Sequence, residues 1–369
     1  MIRSKLLLFS LFLSLSLIEA PFAHSMTITD MAGRQVEVPE TVFHVICSGA
    51  GCLRYLSYLG AQDMVVAVDS IEKRNSTYEG RPYALANPQF KNLPLFGEFR
   101  GFDNPERILG LNPQPQVIFK TYKDIGYDPD ELQTKTGIPV ICLTYGNLAT
   151  QRAKIYASLS LMGKIIGREK RAEDVQSFFN RTIDDLNTRT AHIPDSQRRS
   201  CYLGGVAKKG PHGFQSTEPA YPPFLFIHAK NIACPPGQSG KPLSHASVSK
   251  EQIVAWDPEI IFMDLSTTQM GTKASGFHEL EKDPVYQGLQ ALKNNRIYTL
   301  LPYNFYSINY GSILADAYYA GKVLYPEKFM DIAPKEKADE IYTFLLGKPV
   351  FENMAKSFGK APFEKINLR

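Results

Sequence analysis

The chain is poor in the features that mark most enzymes and nucleic-acid binders. Its net charge is only +4 over 369 residues, and no stretch gathers a basic stripe, which excludes nucleic acid as a partner. The seven histidines are scattered: no His-x-His, HExxH or HxxEH spacing occurs, so a zinc hydrolase is excluded. His44, His192, His228 and His278 read as structural. Gly-x-Ser-x-Gly and the P-loop Gly-Lys-Ser/Thr are both missing. Five cysteines (Cys47, Cys52, Cys142, Cys201 and Cys234) include no Cys-x-x-Cys pair, which argues against structural zinc. An odd count leaves at least one free thiol in an oxidising compartment. Either a Cys201–Cys234 or a Cys47–Cys52 bridge is open from the sequence. Beyond the N-terminal segment no apolar run is long enough to span a bilayer.

What is present begins with that segment. Arg3 and Lys5 precede an almost wholly apolar Leu6-to-Ile18 stretch, and Ala23-His24-Ser25 offers small residues where a signal peptidase reads. Residues 1–25 are therefore expected to be an export signal, cleaved near Ser25. No cysteine ends it, so a lipid anchor is not expected. The 44% hydrophobic content supports real cores, and the length suits two domains.

One unit is used twice. Asn104-Pro105-Glu106-Arg107-Ile108-Leu109-Gly110-Leu111-Asn112-Pro113 precedes the apolar run Val117-Ile118-Phe119. Ser249-Lys250-Glu251-Gln252-Ile253-Val254-Ala255-Trp256-Asp257-Pro258 precedes Ile260-Ile261-Phe262-Met263. Each copy reads as cap, glutamate, short helix, proline, buried strand. Asn104 and Ser249 are good N-cap residues, and Pro105 suits the first helical turn. Two such units imply two similar lobes, each presenting a glutamate at a helix start.

The surrounding pattern is α/β. A hairpin is expected over Thr27–Val38, strands over Val42–Cys47, Val65–Val68, Val117–Phe119 and Val140–Leu143, and helices between them. Residues 26–150 thus read as an N-terminal lobe. Residues 151–194 carry only helical signals, and Arg168–Thr190 could span roughly 35 Å, enough to bridge two lobes. Residues 195–369 repeat the alternation, with strands at Cys201–Val206, Ile260–Met263 and Ile297–Leu301, a helix over Phe224–Ala229 and terminal helices. The expected fold is two Rossmann-like lobes, each a mostly parallel sheet with flanking helices, bridged by one long helix.

In open parallel sheets, ligands bind beyond the carboxyl ends of the strands. The candidates there are Gly49, Ala50 and Gly51; Tyr122 and Lys123; Tyr145; Lys208, Lys209, His212 and Tyr221; and Tyr303, Asn304 and Tyr306. Ser48-Gly49-Ala50-Gly51 is like a dinucleotide fingerprint, but Arg54 stands where the third glycine belongs. It reads best as a tight strand-to-helix turn whose N–H groups could hold an anionic group. The lysines suit an anionic chelate, and the tyrosines suit a planar or bulky ligand.

The mature chain resembles the periplasmic binding proteins of iron–siderophore, haem and cobalamin ABC importers. The resemblance rests on Ile28-Thr29-Asp30-Met31-Ala32-Gly33-Arg34-Gln35-Val36-Glu37-Val38-Pro39 and on both glutamate units, in that order. Gly213-Phe214-Gln215-Ser216-Thr217 and Asp316-Ala317-Tyr318-Tyr319-Ala320-Gly321 are similar to the iron-complex subgroup. It implies a periplasmic, non-enzymatic, monomeric protein without a cofactor and with little hinge motion. It implies a small-molecule metal chelate, an iron complex first, as cargo; haem, cobalamin or an oxyanion such as molybdate or tungstate are the alternatives. It also implies that Glu106 and Glu251 dock on the permease dimer of the inner membrane.

Overall fold

The computed structural model describes residues 25–234 and 245–368. The segment that reads as an export signal lies outside the described residues, apart from Ser25. Among the described residues no helix is long and apolar enough to cross a membrane.

The chain opens with an antiparallel hairpin, β1 (Ser25–Thr29) and β2 (Gln35–Pro39). Its buried residues Ile28, Val36 and Val38 alternate with exposed ones, as a half-covered ribbon requires. Six strands follow: β3 (Val45–Ser48), β4 (Val65–Asp69), β5 (Leu95–Glu98), β6 (Phe102–Asp103), β7 (Val117–Thr121) and β8 (Val140–Leu143). Their order is β6-β5-β4-β3-β7-β8, parallel except for the β5–β6 edge. The order reverses between β3 and β7, so a crevice opens beyond Ser48 and Thr121. Helices α1 (Cys52–Tyr58), α2 (Pro82–Ala86), α3 (Pro105–Leu109) and α4 (Pro129–Thr136) connect the strands. β3 begins three residues later than its apolar run, because Gln116 Oε1 accepts from the Phe43 and His44 N–H groups before the ladder starts.

Two helices fill the centre, α5 (Arg152–Ile165) and α6 (Glu169–Thr190). Gly167, at φ 64°, makes the turn between them. At 1.5 Å per residue α6 spans about 33 Å. Its first turn reaches the N-terminal lobe, where Arg171 Nε donates to Tyr58 O at 2.9 Å. Its last turn reaches the C-terminal lobe, where Thr190 Oγ1 meets His228 Nδ1 at 2.9 Å.

The second lobe holds β9 (Ser200–Gly204), β10 (Ser216–Thr217), β11 (Lys230–Asn231), β12 (Ala246–Ser247), β13 (Ile260–Asp264), β14 (Ile297–Leu300) and β15 (Lys365–Ile366). The main sheet runs β11-β9-β13-β14-β15, parallel except at β15, and β10 pairs with β12. Its order reverses between β9 and β13, beyond Gly204 and Asp264. Helices α7 (Pro222–Phe226), α8 (Lys250–Trp256), α9 (Gly276–Lys282), α10 (Gln290–Lys293), α11 (Tyr310–Leu324), α12 (Pro334–Leu346) and α13 (Phe351–Lys356) complete it. The helix expected over Phe224–Ala229 starts earlier, at Pro222, and stops before His228, which sits at φ 50°. The stretch from Gly204 to Tyr221 is not all loop, since it contains β10.

The lobes share one core. Tyr58 of α1, Phe179 of α6 and Tyr310 of α11 meet with ring centroids 6.0–6.3 Å apart. Phe178 of α6 stacks on Phe344 of α12 at 4.0 Å. Aromatic contacts of this kind oppose hinge bending, because opening them exposes apolar surface.

Candidate ligand cleft

Residues 302–309 of the second lobe lie across the strand ends of the first. The anchor is Arg54 in α1, which is fully buried. Its Nε donates to Asn309 Oδ1 at 3.0 Å, and its Nη2 to the Tyr306 carbonyl at 3.1 Å. Its Nη1 donates to the Tyr145 hydroxyl at 2.5 Å, and its guanidinium lies 5.1 Å from the Tyr83 ring centre. Nearby tyrosines raise the guanidinium pKa against the opposing effect of burial, so it stays charged. The position that breaks the dinucleotide pattern is therefore one that helps join the lobes.

Further links follow the same loop. Tyr306 Oη donates to Asp69 Oδ2 at 2.5 Å and accepts from Arg100 N at 3.0 Å. Tyr145 Oη donates to the Ile308 carbonyl at 2.9 Å, and Tyr122 Oη meets Ser307 Oγ at 2.8 Å. The Phe305 ring seats on Gly80, where a Cβ would fall 2.9 Å from it. Tyr122, Tyr306 and Ser307 hold positive φ at 56°, 48° and 67°, a conformation that these interlobe bonds offset.

The glycine turn is closely covered. A Cβ on Gly51 would lie 2.4 Å from the Tyr145 ring, and one on Gly49 2.6 Å from Thr121 O. Both glycines sit at φ 85°, so the turn needs glycine for conformation as well as space. Ala50 is half-buried, and its carbonyl accepts from Thr121 Oγ1 at 3.0 Å.

The other candidates separate into three places. Lys123 points outward and pairs with Asp124. Lys208 and Lys209 are exposed, and His212 Nε2 meets Lys208 O at 2.9 Å. Asn304 Nδ2 donates to Ala207 O at 2.8 Å, which places this basic loop beside residues 302–309. Tyr221 and Tyr303 are enclosed by protein: Tyr221 Oη donates to Asp316 Oδ2 at 3.1 Å, and Tyr303 Oη donates to Glu218. Asp264, at the end of β13, completes this buried acidic group. Burial pushes Asp264 up to about 7 and Glu218 up to about 8. Neither Arg54 nor Asp69 was among the expected site residues; the signal for Asp69 was a polar residue closing an apolar strand run.

Glu106 and Glu251 stand exposed at the starts of α3 and α8. Asn104 Oδ1 accepts from Arg107 N at 2.8 Å, and Ser249 Oγ from Gln252 N at 3.2 Å. A recess of about 590 Å³ lies elsewhere, between α6 and the segment around α12. Arg189 there is already paired with Asp185 and Asp331.

The family model of periplasmic binding proteins matches residues 45–303, the larger part of the chain. The chain belongs to this family. This periplasmic binding protein is 22% identical over 279 residues to YvrC of Bacillus subtilis, an uncharacterized ABC transporter substrate-binding lipoprotein, covering 75% of this chain and 78% of the relative. A periplasmic solute binding protein from Veillonella parvula superposes with TM-score 0.67 at 17% identity, over 91% of this chain and 97% of that one. The molybdate-bound MolA of Haemophilus influenzae superposes with TM-score 0.63 at 18% identity, over 88% and 98%. These structures share the two-lobed fold. As a member of the family, the chain is a solute-binding transport component and not an enzyme.

Proposed function

We propose that this periplasmic binding protein captures a metal chelate, an iron–siderophore complex first, between its lobes and delivers it to an ABC permease in the inner membrane. The observation that carries the reading is the set of tyrosines Tyr122, Tyr145 and Tyr306 gathered near Arg54 where residues 302–309 meet the strand ends of the first lobe. Tyrosine faces and hydroxyls supply broad contact area and directed hydrogen bonds. The lysine loop at 208–209 adds positive charge at the border. That donor set fits an anionic complex that brings its own metal ligands; a bare cation is served better by converging His, Asp or Glu.

Thermal shift with a panel of ferric chelates, haem, cobalamin, molybdate and tungstate tests the cargo. A ferric chelate at one hundred times its Kd stabilises by about 2.7 kcal/mol. Stabilisation by molybdate or tungstate with none by ferric chelates overturns the iron-complex reading. Mass spectrometry of ligand retained on natively purified protein gives the same decision independently.

A further inference from the structure

Cys47 is the third residue of β3 and Cys52 the first of α1, with only Ser48–Gly51 between them. Strand alternation puts Val45 and Cys47 on the layer shared with α1, while Ile46 joins the opposite layer. α1 lies on that first layer and buries Cys52 completely. Both side chains gather at Phe119. Phe119 is the register partner of Cys47 in β7, and Cys52 Sγ donates to its carbonyl at 3.4 Å. The turn between them doubles back through two glycines at φ 85°, and the Cys52 N–H returns to Gly49 O at 3.3 Å. Both are free thiols in the structure; burial first, and then the neighbouring Cys47 thiol, push the Cys52 thiol up. Two of the three remaining cysteines face other groups: Cys142 Sγ accepts from Arg34 at 3.3 Å, and Cys201 Sγ donates to Lys230 O at 3.6 Å.

We propose that Cys47 and Cys52 form a disulfide that ties the end of β3 to the start of α1. The bond fixes the Ser48–Gly51 turn bordering the ligand cleft. It forms by two thiol–disulfide exchanges with an external disulfide. One cysteine thiolate attacks that disulfide and releases its first thiol. The second cysteine thiolate then attacks the mixed disulfide and releases the other. One Sγ–Sγ bond forms as the oxidant's S–S bond breaks. The oxidant gains two electrons and, as two thiols, the two protons. A buried thiol such as that of Cys52 reacts slowly, so the exchange takes place before α1 docks on the sheet.

Both cysteines fall in one tryptic peptide, Gln35–Arg54. The full chain is reduced, unfolded and refolded with a mixture of oxidised and reduced glutathione, then unfolded again, alkylated and digested. The expected peptide carries no alkyl group and is two hydrogens lighter than its reduced form. In C52S refolded the same way, the Cys47 thiol is alkylated or carries glutathione. A wild-type peptide with two alkyl groups, with glutathione, or linked to a peptide holding Cys142, Cys201 or Cys234 overturns the proposal. The oxidant is supplied in the tube, so the outcome is independent of the transport reading and of cellular location.

Discussion

Asp264 is buried at the end of β13, and its Oδ2 has no hydrogen-bond partner among the described residues. Asp69 and Glu218 are also buried, each accepting from a tyrosine hydroxyl. Burial raises Asp69 and Asp264 from 3.8 to about 7, and Glu218 from 4.5 to about 8. An acid whose pKa is raised in the folded state holds its proton more tightly there than in the unfolded chain. Its contribution to stability is complete below the unfolded pKa and is lost as pH rises through the folded one. Melting temperature should therefore fall between about pH 5 and pH 8.5. D264N should flatten that fall, since the amide cannot ionise and its carbonyl still accepts from Ser266 N. A wild-type Tm that rises over this range, or a D264N slope equal to wild type, contradicts the assignment. These groups were hard to read in the sequence for a physical reason. Burial of Glu218 and Asp316 depends on what folds over them, and only Asp264 and Asp69 betray themselves by closing apolar strands. Arg54 was visible only as the residue that spoils a glycine motif; its partners at 305–309 lie some 250 positions away.

Elements whose signals are local were legible. The two glutamate units emerged as α3–β7 and α8–β13 because cap, proline and apolar run all act within a dozen residues. Helix α4 carries equally local signals: Asp128 caps it and Gly137 ends it at φ 68°. The 302–309 segment was not, since its positive-φ residues are held by bonds to the other lobe. Helix α2 also escaped, being five residues long with no room for a periodic pattern. The caps permit a direct check. N104A and S249A should each lower stability by about 1 kcal/mol in denaturant unfolding, because each strands one backbone N–H at a helix start. The sites lie in different lobes with no shared partner, so the losses should add in the double variant. Unchanged unfolding midpoints would show that these helix starts are set by packing alone.

A rigid two-lobed body presenting one acid per lobe is a ruler as well as a charge pair. The side chains of Glu106 and Glu251 form no ion pair or hydrogen bond among the described residues, so both carboxylates remain available to a partner. The helix dipole alone favours an acid at a helix start by about 0.3–1 kcal/mol, which accounts for a glutamate but not for its neighbours. Three residues beyond Glu106 stands Leu109, 43% exposed, and three beyond Glu251 stands Val254, 36% exposed. That i,i+3 spacing sets each apolar side chain on the same helix face as its acid. An exposed acid flanked by exposed apolar surface recurs in both lobes, and the family resemblance implies that these acids dock on the permease. Ring contacts shared by the lobes oppose hinge bending, so attraction at one face would help align the other. Reversal of both charges, E106K with E251K, should abolish uptake in cells while leaving cargo affinity within about twofold and Tm within a few degrees, as expected of exposed sites. Each single reversal should reduce transport only in part. Normal uptake by the double variant would assign the pair to helix stability alone. Loss of cargo binding in the same protein would instead place the glutamates in communication with the cleft, which the rigid core argues against.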